Sequence, residues 1–238
     1  MLPYLAEFIG TAILMILGDS ACANANLNKS GMKGAGSVQI TVGWGLAVLL
    51  PAFVFGGVSG AHFNPAVTIG LAAAGKFSWG MVPGYLIAQV CGGFLGACIV
   101  YVLFKDQFDA TTDQNTILTC FCTRPSVRDL PRNFFSEAVI TFLLVFTILG
   151  VGNVKGAGAA GVNYLLIFAI IVSMGMSLGG LTGYAMNPAR DFGPRLAHAV
   201  LPIKDKGSSE WSYGLIVPIF GPIVGCLLAA LLFTVIPW

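Results

Sequence analysis

The chain has 238 residues, 56% of them hydrophobic and 9% charged, with a formal net charge of +2. Soluble domains carry about 25% charged residues, so a mean hydropathy of +0.85 excludes an ordinary soluble fold and points to a membrane protein. No block of Lys or Arg supports nucleic-acid binding.

In chain order, apolar segments fall at 2–23, 38–58, 81–104, 134–152, 163–181 and 213–236. Each is close to the ~20 residues with which a helix crosses ~30 Å of hydrocarbon. A spanning segment must satisfy its own backbone hydrogen bonds, and six segments cannot close a barrel, so all six are predicted to be helices. The first begins "MLPYLAEF", without a basic stretch, and reads as a span and not as a cleaved leader. Polar linkers are expected at 24–37, 105–133, 153–162 and 200–212. Of the six cysteines, Cys120 and Cys122 form an isolated C-x-C in a linker, and the others lie in or beside apolar segments. Neither a metal site nor a disulfide framework is predicted from them, and no cofactor is implied.

Two further apolar stretches, 65–75 and 188–199, are too short to span. Each opens on Asn-Pro-Ala: Asn64, Pro65 and Ala66 in "SGAHFNPAVTIG", and Asn187, Pro188 and Ala189 in "TGYAMNPARDFG". Asn is a strong N-cap, and Pro suits the first helical position, where its missing N–H costs nothing. Each motif therefore predicts a helix start at membrane depth. Backbone that stops and starts there must be buried in protein or line a wet cavity.

The two halves of the chain echo one another. Glu7 in "AEFIGTAILMILG" matches Glu137 in "SEAVITFLLVFTILG", Asn64 matches Asn187, and Gly92-x-x-x-Gly96 matches Gly221-x-x-x-Gly225. The order is the same and the offsets are nearly equal, so an internal repeat is predicted within a single domain spanning 1–238. Its parts are 1–104 and 134–238, with a boundary in the 105–133 loop. Three spans and one half-span per repeat make the second half enter from the opposite side. The working site then lies where the interrupted helices meet.

Helix N-termini carry about half a positive charge each, so two that meet head to head repel cations and protons. Each Asn keeps side-chain N–H groups to donate to a passing hydroxyl or water. The non-helical residues before each motif could offer a ladder of carbonyls: Gly60, Ala61, His62 and Phe63 in one half, and Gly183, Tyr184 and Ala185 in the other. A neutral, hydroxyl-bearing solute suits such a track. A lipid-facing carboxylate is costly, so Glu7 and Glu137 are predicted to point inward and brace these loops by accepting their N–H groups. Arg190, directly after the second motif, offers donors to a solute and excludes cations.

At this point the residues resemble the major intrinsic protein family, the aquaporins and glycerol facilitators. "SGAHFNPAVTIG" together with "GYAMNPARDFGPR" carries the resemblance, which covers essentially the whole chain. It implies an all-α membrane protein of six transmembrane helices and two re-entrant half-helices, one pore per subunit and a homotetramer. It also implies an integral plasma-membrane location with both termini cytoplasmic. Asp191 after "NPAR" resembles the glycerol-facilitator branch. The selectivity filter implied by the resemblance consists of Trp44, Gly175, Tyr184 and Arg190. Water-only members have His where Gly175 stands, and Gly leaves room for a carbon chain. Facilitators commonly have Phe where this chain has Tyr184, so the preferred solute stays open among glycerol, undissociated lactic acid and dihydroxyacetone.

The expected function is passive conduction of glycerol, other small neutral solutes and water, without catalysis. The alternatives are a coupled secondary transporter, since such proteins also use inverted repeats and broken helices, and a non-conducting adhesive or structural membrane protein of the same architecture. Other motifs add little. "GAGAAG" at Gly156–Gly161 follows no strand and reads as a flexible loop, and "DFG" at Asp191 lacks every other kinase element. His62 is expected to pack against its loop. One signal disagrees with the resemblance. Of the 12 Lys and Arg, only Lys76 and Lys155 fall on the side of the termini, and the positive-inside rule would place the opposite side in the cytoplasm.

Overall fold

The computed structural model describes residues 1–238, and its regular structure is entirely helical. The chain runs α1 (Leu2–Asn26), α2 (Gly36–Ser59), α3 (Pro65–Ala73), α4 (Val82–Leu103), α5 (Lys105–Asp109), α6 (Gln114–Thr119), α7 (Leu130–Val151), α8 (Val162–Thr182), α9 (Pro188–Val200), α10 (Trp211–Gly214) and α11 (Val217–Val235). Six of these are long and apolar enough to cross a membrane, and α3 and α9, with 9 and 13 residues, are not.

The two short helices exist because their predecessors stop early. α2 ends at Gly60 and α8 at Gly183, both in the left-handed conformation that only glycine takes without cost. The chain then runs non-helically to Asn64 and Asn187, whose extended backbones start new helices. Pro65 and Pro188 follow at the first helical positions, so no backbone donor is lost.

Packing is matched between the halves. α1 packs on α2 and α4, as α7 packs on α8 and α11. Each half-helix crosses over: α9 lies against α4, and α3 against α11. The Gly-x-x-x-Gly pairs make these contacts close. A Cβ on Gly92 would come 2.2 Å from the Phe8 carbonyl oxygen of α1, and one on Gly225 would come 2.2 Å from the Ala138 oxygen of α7. Lipid tails are as apolar as the side chains, so close van der Waals approach of backbones, not hydrophobic exclusion, holds such helices together. Gly225→Ala is therefore expected to cost about 1–3 kcal/mol of overpacking. The check is the thermal midpoint of the purified protein in detergent; an unchanged midpoint would mean that α7 and α11 can separate freely.

The 105–133 segment departs from the expected solvated linker. It contains α5 and α6, and it buries Phe108, Ile117, Leu118, Cys120, Phe121 and Cys122 almost completely. The apolar residues interspersed among its charges anchor it. Phe121 packs edge-on against His198 of α9, and Tyr101 of α4 packs on Phe108. The connection therefore folds inward over one mouth of the bundle.

Candidate functional site

The two non-helical loops share an unusual backbone. Gly60, Ala61 and Phe63 have φ of 83°, 54° and 49°, and Gly183, Tyr184 and Met186 have φ of 80°, 39° and 51°. Non-glycine residues pay steric strain there, so the surroundings must hold them. From Ala61 to Phe63 and from Tyr184 to Met186 the hand alternates, which turns the N–H groups to one side and forms a concavity for an anion. A glutamate fills each one. Glu7 Oε1 accepts from Ser59 Oγ at 2.6 Å and His62 N at 3.0 Å, and its Oε2 accepts from Phe63 N at 2.7 Å and Gln89 Nε2 at 2.8 Å. Glu137 Oε1 accepts from Thr182 Oγ1 at 2.6 Å and Ala185 N at 2.9 Å, and its Oε2 accepts from Met186 N at 2.9 Å. Both carboxylates are fully buried.

With the N–H groups turned one way, the carbonyls turn the other. Those of Gly60, Ala61, His62, Gly183, Tyr184 and Ala185 meet no donor within the chain. Phe63 departs from the expected ladder. Its carbonyl accepts from Asn187 Nδ2 at 2.8 Å, and the residue borders neither of the cavities described below. The reciprocal bond runs from Asn64 Nδ2 to the Met186 carbonyl at 2.9 Å. Each Asn side-chain oxygen caps its own half-helix, Asn64 from Ala66 N at 2.8 Å and Asn187 from Ala189 N at 3.0 Å. The two motifs are thus stitched together at their amino ends. One of each asparagine's two amide hydrogens is used in the stitch, leaving one to donate elsewhere.

A cavity runs along this seam. It is bordered by Gly60, Ala61, His62, Asn64, Ala185, Met186 and Asn187, and by Leu14, Val48, Leu144, Ile148 and Ile171. Its lining is amphipathic, combining loop residues and asparagines with aliphatic side chains. A second, more polar cavity includes Asn26, Thr41, Thr119, Thr123, Gly175 and Gly183. The two share Trp44, Tyr184 and Arg190, which therefore form the neck between them.

At the neck, the Arg190 guanidinium carbon lies 4.0 Å from the centroid of the Trp44 ring, and Trp44 Nε1 donates to Cys22 Sγ at 3.3 Å. Arg190 Nη1 donates to the Phe121 carbonyl at 3.4 Å. Gly175 supplies space. A Cβ there would lie 3.0 Å from Tyr184 Cζ and 2.6 Å from Thr41 Cγ2. The Tyr184 hydroxyl is buried, beside Thr41.

Several participants are absent from the sequence-level prediction. Ser59, Gln89 and Thr182 complete the glutamate sites, and Tyr85 Oη donates to the Ser59 carbonyl at 2.8 Å. Polar residues of this kind at helix ends carry no distinctive spacing. The second motif is held from the far side by a buried pair. Arg195 Nε donates to Asp191 Oδ1 at 2.7 Å, and its Nη1 and Nη2 donate to the Ser209 and Thr123 carbonyls at 2.7 and 2.8 Å. Asp191 Oδ2 accepts from Thr123 N at 2.8 Å and Oγ1 at 2.6 Å. This clamp seats the 105–133 segment so that Phe121, two residues before Thr123, presents its carbonyl to Arg190. Asp19 is also missing from the prediction. It is a charged residue inside the first span, "MILGDSACAN", and that alone marks it for attention.

The chain is similar over its length to known proteins. It is 51% identical over 233 residues to a "Probable glycerol uptake facilitator protein" of Thermotoga maritima, covering 98% of each chain. It is 49% identical over 236 residues to "Glycerol uptake facilitator protein 3" of Lactiplantibacillus plantarum, covering 99% of this chain and 97% of the relative. Among solved structures, the aquaglyceroporin from Plasmodium falciparum superposes with a TM-score of 0.81 at 31% identity, over 98% of this chain and 95% of that one. The family model described as "Major intrinsic protein" matches residues 2–233. With six apolar spans around two half-helices joined at their Asn-Pro-Ala starts, and with that match over nearly every residue, the chain belongs to the major intrinsic protein family.

Proposed function

We propose that this integral membrane protein is a passive channel for glycerol, other small neutral solutes and water, and that it catalyses no reaction. The observation that carries the reading is the neck, where Trp44 offers an apolar face and Arg190, stacked on it at 4.0 Å, offers donors. A polyol lays its CH groups on the ring and its hydroxyls on the guanidinium, then passes the asparagine amides and the free carbonyls. The names of the relatives, glycerol uptake facilitators, support the same solute. Cations and protons are refused by the two half-helix N-termini and by Arg190. Glu7 and Glu137 act as braces, since every oxygen of both is engaged by loop or helix-end donors.

The test is stopped-flow light scattering of proteoliposomes against glycerol, water, urea, dihydroxyacetone and lactic acid. Glycerol flux is expected to follow its own gradient and to be unaffected by collapsing proton or sodium gradients. Flux that needs either gradient overturns the channel reading in favour of coupled transport. A second solute is favoured by one observation, the Tyr184 hydroxyl at the neck. It can hydrogen-bond a carboxylic acid or ketone oxygen, and a panel in which undissociated lactic acid or dihydroxyacetone outruns glycerol selects that reading.

We also propose a homotetramer in the plasma membrane with cytoplasmic termini. Only 11% of the α8 span is buried within the subunit, against 39% or more in the other spans, which leaves an apolar face for neighbouring subunits. The contrary charge bias is weakened by pairing. Arg190 and Arg195 are buried, while Lys105, Arg124, Arg128 and Arg132 sit against Asp109, Glu210, Glu210 and Asp129.

A further inference from the structure

Asp19 has no role in the pathway described above, yet its position is costly. It is 1% exposed, lies in the membrane-spanning α1, and neither carboxylate oxygen has a hydrogen-bond partner. A buried carboxylate persists only beside a compensating charge. The one cation beside it is Arg190, whose Nη1 lies 4.0 Å from Asp19 Oδ1. Asp19 borders neither cavity, so it stands behind the guanidinium, on the side away from the solute. No equivalent exists in the second half, where Leu149 occupies the matching place in "TFLLVFTILG". Asp19 is therefore not part of the repeated scaffold.

The charge around the neck explains what such a residue does. Two half-helix N-termini and a guanidinium, all positive, converge on one passage. That arrangement excludes cations, but alone it attracts anions and holds them. An anion lodged at Arg190 would occupy the place of a neutral solute. A carboxylate directly behind the guanidinium turns a lone charge into a dipole, whose field falls off far faster with distance. The N–H groups of Arg190 that face the lumen remain available, because Asp19 takes none of them at hydrogen-bond distance.

We propose that Asp19 is a positioning residue that supplies the counter-charge of Arg190 and sets the selectivity of the neck for neutral solutes over small anions. The proposal rests on the reading that Trp44, Tyr184 and Arg190 form the constriction. It makes Asp19 a determinant of specificity that acts through Arg190 and touches no solute itself.

The test uses nitrate, a small planar anion, with gluconate as a reference too large to enter. Glycerol flux into proteoliposomes is measured in sodium nitrate and in sodium gluconate at equal ionic strength, together with any nitrate-driven membrane potential. For the unmodified chain, the nitrate-to-gluconate flux ratio is expected near unity, with no potential. In Asp19→Asn the ratio is expected to fall several-fold, or a nitrate-driven potential to appear, and the double variant with Arg190→Ala is expected to abolish either response. Asp19→Val carries the same test if Asp19→Asn does not yield monodisperse protein. A ratio near unity with no potential overturns the proposal. So does an equal loss of flux in both salts, which is the mark of a merely structural residue, and so does a nitrate response that survives Arg190→Ala. Failure of the constriction itself has a separate signature: Arg190→Ala alone would leave the solute ranking unchanged.

Discussion

Replacing Glu137 with Gln is expected to cost both stability and conduction, although it changes a single atom type. The carboxylate accepts three hydrogen bonds, from Thr182 Oγ1, Ala185 N and Met186 N, and it can donate none. A carboxamide presents an NH₂ group where one of these oxygens stood. At least one backbone or hydroxyl donor then faces another donor inside the membrane. An orphaned buried donor costs about 1–3 kcal/mol, and the bonds to a charged acceptor are stronger than those to a neutral one. For a chain of this size, each 1 kcal/mol lowers the thermal midpoint by about 2–4 °C. The loss also releases strain. Tyr184 and Met186 hold φ of 39° and 51° only while the N–H groups of Ala185 and Met186 are gripped. A relaxed loop withdraws the Gly183, Tyr184 and Ala185 carbonyls from the lumen. Glycerol flux is expected to drop roughly tenfold or more, the factor that 1.4 kcal/mol on the barrier produces. A well-folded Glu137→Gln protein with unchanged midpoint and flux would remove the bracing role.

The second large effect is expected from Gly175→His. The missing side chain at 175 is what seats Tyr184. Any Cβ there would meet Tyr184 Cζ at 3.0 Å and Thr41 Cγ2 at 2.6 Å. The ring cannot retreat toward α8 on the next turn, since a Cβ on Gly179 would stand 2.8 Å from its Cδ1, so the packing there is already tight. An imidazole at 175 must enter the neck, displace the ring into it, or do both. Glycerol, which needs width for its carbon chain, is expected to lose about tenfold or more in flux, equivalent to at least ~1.4 kcal/mol on the barrier. Water is expected to lose much less. Paired measurements of osmotic water permeability and glycerol flux in the same vesicles decide the matter. Equal losses would mean that Gly175 is not part of the constriction.

Much of the architecture is legible in the chain because it is dictated locally. Six apolar runs of membrane length are helices because hydrocarbon offers no other partner for the backbone. Asn64 and Asn187 begin helices because their side chains reach N–H groups two and three residues ahead. The Gly92 and Gly225 contacts are visible as Gly-x-x-x-Gly spacings, since four residues separate neighbours on one helix face. The pairing of Glu7 with Glu137 is visible as a repeat. Each of these depends on interactions within a turn or two of helix, or on a pattern written twice.

What the sequence could not supply are the bonds between the halves. The amide of Asn64 reaches Met186 across 122 residues, and that of Asn187 reaches Phe63 across 124, which removes Phe63 from the expected carbonyl ladder. The left-handed turns at Ala61, Phe63, Tyr184 and Met186 are unmarked, because only the glutamates' grip makes them tolerable for residues other than glycine. The 105–133 segment looks polar in sequence, but the Asp191–Arg195 clamp and a few apolar anchors fold it over the mouth. The same holds for Asp19, whose charge makes sense only once α9 brings Arg190 alongside α1. Local hydrogen bonding and hydrophobic length determine the helices. Where two chain halves meet, geometry alone decides which polar groups pair and which remain free for a solute.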